Sequence, residues 1–356
     1  MAGHRLVVRL DSMGDMLAAG PAIRAVAAGA DRVSVLCGPG GVAAASLLPG
    51  VDATVVWACP WIVSPPPAVS RSEVDDLVDR IARLRVDQAV ILTSFHQTPL
   101  PTALLLRLAG VPWIAAASED YPGSLLDARL PVAGDAPEPV RMLQTVRAAG
   151  FELPVGDDGR LRVRRPLPNV DGVLPTGSRA PLVVVHPGTS APARAYPEPL
   201  WASAVDRLLA DGWRVALTGD SGERLLTRRI VDAAGGADAA RLLDLAGRLN
   251  LPQLAAVLDR AEATVVANTG PAHLSAAVGT PVVSLFAPVV PALRWAPYGV
   301  PVQLLGDQHA PCRDTRWTTC RIAGHPCLSS VSAGQIASAV RQLAAADPAP
   351  LEASRR

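Results

Sequence analysis

Short apolar runs rich in Val, Ile and Leu alternate with Ala/Leu/Arg-rich stretches over nearly the whole of this 356-residue chain. A strand-then-helix rhythm of this kind specifies a parallel sheet covered on both faces. Strands are expected at Arg5–Leu10, Arg32–Cys37, Ala53–Trp57, Gln88–Thr93 and Trp113–Ala116. Helices are expected between them at Asp15–Ala28, Glu73–Leu84 and Thr102–Ala109. The rhythm fails from Arg164 to Pro181, a segment with Pro166, Pro168, Gly172, Pro175 and Gly177, and such a stretch reads as a linker. It then restarts with strands Leu182–His186, Arg214–Thr218, Ala263–Ala267 and Pro281–Leu285. The accompanying helices are Glu198–Asp211, Gly222–Ala234, Leu251–Asp259, Ala272–Val278 and Ala333–Ala345.

The expected architecture is therefore α/β, with two Rossmann-like doubly wound domains facing across a cleft. Residues 1–165 form the first, 166–181 the linker and 182–356 the second, with the final helix 333–345 free to pack back towards the first. Ligands of such sheets sit beyond the carboxyl ends of the strands. The length exceeds what one core serves, and 49% hydrophobic against 18% charged residues supplies large cores.

Composition also removes function classes. A net charge of +1 argues against nucleic acid or an anionic membrane as the main partner. All basic residues besides the histidines are arginine, so Schiff-base chemistry through a lysine amine is excluded. The first residues lack the apolar run of a signal peptide, and the apolar stretch Leu274–Val290 is broken by Gly279, Pro281 and Pro288. A cytoplasmic protein is expected, and five cysteines fit a reducing compartment.

Three strand-to-helix junctions in the second half suit a diphosphate. In the first, Val185-His186 runs into Pro187-Gly188-Thr189-Ser190, whose N–H groups and hydroxyls can donate to phosphate oxygens, and Arg194 follows as a two-pronged donor. In the second, a strand ends at Asn268-Thr269-Gly270-Pro271-Ala272-His273. Gly270 permits close approach, Pro271 suits a first helical turn, and the helix start offers unpaired N–H groups. In the third, Thr218-Gly219-Asp220-Ser221-Gly222-Glu223 offers Glu223 as an acceptor for ribose hydroxyls. Each has a plainer reading: a solvated turn, helix caps at Asn268 and Thr269 with His273 in the interior, and a favourable helix-start acid.

In the first half, Asp11-Ser12-Met13-Gly14-Asp15 lies at the end of the first strand. Asp15 there either caps a helix or takes a proton from an acceptor hydroxyl, with Asp11 as its competitor. Ser94-Phe95-His96-Gln97, on the same rim, is expected to touch the acceptor together with Ser12, Met13 and Gly14. The run Gly38-Pro39-Gly40-Gly41-Val42-Ala43 fits a dinucleotide pattern. It follows the second strand, and Asp52 comes too early, so a nicotinamide site is disfavoured. His309, Cys312, Cys320, His325 and Cys327 could bind zinc, but the gaps are wide and no C-x-x-C pair occurs, which favours buried or loop thiols without metal; the chain carries no Asp-x-Asp with which to hold a cation on a diphosphate.

In this order, Ser12-Met13-Gly14-Asp15-Met16-Leu17, Pro187-Gly188-Thr189-Ser190, Arg194-x-Tyr196-Pro197, Asn268-Thr269-Gly270-Pro271-Ala272-His273-Leu274 and Gly279-Thr280-Pro281-Val282-Val283-Ser284-Leu285-Phe286 resemble glycosyltransferase family 9, the heptosyltransferases. The resemblance implies the GT-B fold and an inverting transfer from ADP-heptose that uses no metal and no cofactor. It implies Asp15 as catalytic base, Thr189, Thr269, Gly270 and His273 around the donor, and Glu223 as a donor-side acid. Arg194 stands where the family often has lysine, and Asn268 where many members have aspartate, which removes a charge beside the donor. The acceptor stays open among a glycan, a lipid-linked sugar and a small-molecule glycoside, as does peripheral membrane association. A sugar-nucleotide epimerase or hydrolase and a non-catalytic nucleotide-sugar binder are the alternatives.

Overall fold

A computed structural model of the protein describes residues 3–94, 96–131, 134–174, 180–234 and 239–346. Phe95 and the expected linker residues Pro175 and Gly177 lie outside these. The chain divides into two compact units, Met1–Arg164 and Arg165–Arg356.

The first unit runs β1 (His4–Arg9), α1 (Met13–Ala18), α2 (Gly20–Ala28), β2 (Arg32–Cys37), α3 (Val42–Leu47), β3 (Ala53–Val56), α4 (Arg71–Leu84), β4 (Gln88–Ile91), α5 (Leu100–Leu108), β5 (Ile114–Ala117), β6 (Ala128–Leu130) and α6 (Glu138–Ala148). Its six strands are all parallel, in the order β3-β2-β1-β4-β5-β6. The order reverses between β1 and β4, so the loops after these two strands flank the point where doubly wound sheets bind ligands.

The second unit runs β7 (Leu182–His186), α7 (Glu198–Ala210), β8 (Arg214–Leu217), α8 (Arg224–Ala233), β9 (Leu242–Asp244), α9 (Leu251–Asp259), β10 (Ala263–Ala267), α10 (Gly270–Val278), β11 (Val282–Leu285), α11 (Ala292–Trp295), β12 (Val302–Leu305), α12 (Pro326–Ser329) and α13 (Ala333–Ala345). The parallel order β12-β11-β10-β7-β8-β9 repeats the first topology, with its reversal between β7 and β10. The helix α13 packs on α7 and on β10, β11 and β12 of its own unit.

Strands buried on both faces read as near-continuous apolar runs, and the central ones are buried throughout: β7 is Leu-Val-Val-Val-His and β10 is Ala-Thr-Val-Val-Ala. Around them the second core gathers Trp201, Val205, Leu208, Val265, Ile336 and Val340, all essentially without exposure. The surface helix α4 instead buries only Leu77 and Ile81, one turn apart.

One helix expected over Asp15–Ala28 is two, α1 and α2, with Ala19 between them. Pro21 has no N–H to give to the preceding turn and its ring crowds that turn's carbonyl, so α2 starts afresh with Pro21 in its first turn. The apolar stretch 274–290 breaks at Gly279, which ends α10 in a left-handed conformation at φ 97°. Among the described residues no helix is long and apolar enough to cross a membrane.

Candidate active site

In the first unit the site is built on a buried arginine. Arg9 is the last residue of β1 and has no exposed surface. Its Nη2 donates to Asp15 Oδ1 at 3.1 Å and to Ser94 Oγ at 3.0 Å, and its Nε lies 3.3 Å from Asp11 Oδ2. The other oxygen of Asp15 accepts from the Ser12 N–H at 3.1 Å and from the Ser12 hydroxyl at 2.6 Å. Asp15 thus serves as an acid in the first turn of α1 while 17% of its side chain stays exposed. Gln97 donates to Asp11 Oδ1 at 2.6 Å and accepts from the Ser94 N–H at 3.0 Å, which ties the loop after β4 to the loop after β1. Burial pushes the Asp11 carboxyl above the usual range, and the Arg9 charge partly offsets this.

Beside this cluster a cleft of about 210 Å³ opens beyond the carboxyl ends of β4 and β5. His96 and Gln97 line it together with Ser118, Glu119, Arg141 and Thr145. The sequence reading missed α6, which supplies Arg141 and the fully buried Glu138, paired at 2.6 Å. The signal was present: Glu138-Pro139 puts an acid and a proline in a first helical turn. The glycine pattern Gly38–Ala43 has a packing role. A Cβ on Gly38 would fall 2.3 Å from the Leu10 carbonyl oxygen, and one on Gly41 would fall 3.2 Å from that of Asp11. These glycines let α3 approach the loop that carries Asp11 and Ser12.

In the second unit, β10, β7 and β8 are neighbours, so the three junctions singled out in the sequence leave adjacent strands at one end of the sheet. Glu223, after β8, lies directly on Gly188, after β7: a Cβ on Gly188 would sit 1.7 Å from Glu223 Oε1. Glu223 Oε2 accepts from the Asp220 N–H at 2.9 Å and lies 3.7 Å from His186 Nε2. Burial raises the Glu223 carboxyl and lowers His186 to about 4, so the imidazole is neutral at neutral pH and holds Thr218 Oγ1 at 3.0 Å through Nδ1.

The Thr189 hydroxyl accepts from the Ala191 N–H at 3.4 Å, while Ser190 is exposed. The following turn, Pro192–Arg194, is braced by the tail of the unit. Ala193 donates to the Thr318 carbonyl at 2.8 Å, His325 Nε2 lies 3.1 Å from the Ala193 carbonyl, and the Tyr196 hydroxyl donates to the Val331 carbonyl at 2.6 Å. His325 therefore serves as a brace. Cys312 and Cys327 are buried thiols in mutual contact, and burial first, then Cys312, pushes Cys327 up to about 12.

At the end of β10, Asn268 donates to the Ala287 carbonyl at 3.4 Å while its Oδ1 is buried without a hydrogen-bond partner. Thr269 is the N-cap of α10 in backbone conformation, at φ −145° and ψ 174°, but its side chain makes no capping hydrogen bond. The Thr269 side chain thus does not cap this helix; its carbonyl accepts from the Ala272 N–H at 3.1 Å and Pro271 carries no N–H, so the Gly270 N–H is the one the turn offers to an anion. His273 is buried in the first turns of that helix, as the interior reading expected.

The sequence profile described as Glycosyltransferase family 9 (heptosyltransferase) matches residues 150–324. Lipopolysaccharide heptosyltransferase 1 of Pseudomonas aeruginosa is 34% identical over 245 residues, 66% of this chain and 64% of that protein. The match thus spans less than two thirds of that relative's length. Among solved structures, ADP-heptose lps heptosyltransferase II of E. coli superposes with a TM-score of 0.72 at 18% identity, over 97% of this chain and 98% of that one. The E. coli heptosyltransferase WaaC with ADP-2-deoxy-2-fluoro heptose gives 0.68 at 19% identity, over 95% and 99%. These two share the fold of this chain.

Proposed function

The chain belongs to the heptosyltransferase-like proteins of glycosyltransferase family 9, and on that premise we propose that it moves heptose from ADP-heptose to an acceptor hydroxyl, with inversion and without a metal. The loops after β7, β8 and β10 hold the donor. Gly188, Thr189, Ser190 and Arg194 face the diphosphate from one side, and Asn268, Thr269, Gly270 and His273 from the other. Glu223 takes ribose hydroxyls. Arginine and backbone donors offset the negative charge that grows on the diphosphate as the bond to the anomeric carbon breaks. Asp15 takes the proton of the acceptor hydroxyl as its oxygen bonds to the opposite face of that carbon, and ADP leaves. Ser12, Met13, Gly14, His96 and Gln97 face the acceptor, which is a glycan, a lipid-linked sugar or a small-molecule glycoside. The absence of any Asp-x-Asp in the sequence supports a metal-free reaction.

The observation that carries this reading is the junction of β7 and β10. An α10 start that offers the Gly270 N–H, uncapped by the Thr269 side chain, leaves a strand adjacent to the one carrying the Gly188 loop, and the Asn268 Oδ1 beside it is buried without a hydrogen-bond partner. Calorimetric titration with ADP-, GDP-, UDP- and dTDP-sugars tests it. ADP-sugars are expected to bind tightest, and Arg194→Ala to weaken them; indifference to all four removes the donor site. In a transfer assay with ADP-heptose, Asp15→Ala is expected to lose turnover and keep donor binding. Donor consumption without an acceptor would favour a hydrolase.

A further inference from the structure

A guanidinium withdrawn wholly from water is destabilising unless its charge and its donors are met. The Arg9 charge is met by Asp11 and Asp15, and its Nη1 and Nη2 find acceptors, while its Nε makes no hydrogen bond and faces Asp11 as an ion pair. The fork is fixed to the segment that follows the neighbouring strand β4, through Ser94 Oγ at 3.0 Å and the Leu92 carbonyl at 3.5 Å. With that fork anchored, Nη2 holds Asp15 Oδ1 at 3.1 Å and Nε faces Asp11 Oδ2 at 3.3 Å. The Asp15 carboxylate is thereby gripped at both oxygens, by Arg9 on one and by Ser12 on the other.

We infer that Arg9 is the positioning residue of the reaction: anchored to the segment after β4, it fixes the Asp15 carboxylate and keeps it ionised without touching either substrate. This rests on Asp15 being the base. The surrounding charges make the arginine necessary. Asp11 and Asp15 flank it on one side, and Glu138 reaches its field from α6, where Arg141 covers Glu138 at 2.6 Å. His96 adds its influence on Asp11 from the loop after β4. Without Arg9, Asp11 and Asp15 are two partly buried carboxylates with no cation between them, and like charges in one site push a carboxyl towards its protonated form. A protonated Asp15 accepts no proton from a hydroxyl. Lysine would carry the charge but has no planar fork with which to hold two carboxylates and a hydroxyl at once.

The test is a carboxyl titration by NMR on the full chain with 13C-labelled aspartate, the Asp15 and Asp11 signals being assigned by their loss in Asp15→Asn and Asp11→Asn. In Arg9→Gln the Asp15 midpoint is expected to rise by about one unit or more, the size of effect an adjacent opposite charge has. Arg9→Lys, whose ammonium serves one carboxylate at a time, should raise it by less. An unchanged midpoint in folded Arg9→Gln overturns the assignment. Should that variant not fold, Arg9→Lys decides: a raised Asp15 midpoint supports the proposal, and an unchanged one overturns it. A transfer assay on Asp15→Asn separates the two claims. Normal turnover there would remove Asp15 as base, whatever the titration shows.

Discussion

Gly188→Ala probes the contact between the β7 and β8 loops without replacing any charged group. The added methyl would lie 1.7 Å from Glu223 Oε1 and 2.0 Å from its Cδ, so the carboxylate has to retreat by roughly 2 Å to reach ordinary contact. That retreat breaks the 2.9 Å bond from the Asp220 N–H and the approach to His186. Because 23% of the Glu223 side chain is exposed, water replaces much of what is lost, and the fold should weaken by only about 1 kcal/mol. The nucleotide feels more. A carboxylate that accepts a ribose hydroxyl contributes about 1.5–3 kcal/mol, which is roughly a ten- to hundredfold change in Kd. Calorimetry with ADP on Gly188→Ala, Glu223→Ala and the double variant forms a cycle. Two similar losses that do not add are expected, since both remove one carboxylate from one place. ADP affinity unchanged in Gly188→Ala but lost in Glu223→Ala, or losses that simply sum, would refute the shared-site reasoning.

Gly38→Ala places a methyl 2.3 Å from a backbone carbonyl that cannot swing aside, so a denaturant titration should show a loss of about 1–3 kcal/mol; a neutral result would show that α3 does not press on the β1 loop. The Arg24–Asp157 pair is two-pronged, at 2.7 and 2.9 Å, and its side chains are only 8% and 7% exposed. Asp157→Ala leaves the arginine buried and unpaired, which costs about 3–5 kcal/mol in urea unfolding. Arg24 donates to Asp157 and holds its carboxyl below the ordinary value, so the pair's contribution is full above the unfolded-state value and fades as pH falls through the folded one. The advantage over Asp157→Asn should shrink accordingly in acid. His186 titrates near 4 when folded against 6.5 when free, so between those values the unfolded chain takes up a proton that the native one refuses. Stability should therefore fall by on the order of 2 kcal/mol between about pH 7 and pH 5 through this group alone. His186→Gln should flatten that slope, and parallel curves would contradict the assigned burial effect.

Strand-helix alternation made both Rossmann-like units legible, and β2, β7, α9, β10 and α13 fall where the pattern puts them. What escaped was short or proline-marked: β6 and β9 have three residues each, too few for periodicity to register. The second strand-reversal point could be read because glycines, threonine and arginine mark it locally. Arg9 could not. A charged residue ending an apolar run looks like a solvated strand terminus, and only the tertiary pairing of β1 with β4 brings Ser94 and Leu92 against its guanidinium. For the same reason Glu223 could be named as a donor-side acid, but its seat on Gly188 could not, since that contact joins loops 35 positions apart.

A crystal structure with ADP bound tests the donor assignment most directly. The diphosphate is expected against the N–H groups of Gly188 to Ser190 and of the α10 start at Gly270, with the ribose at Glu223. A diphosphate bound anywhere other than the ends of β7 and β10 would contradict it.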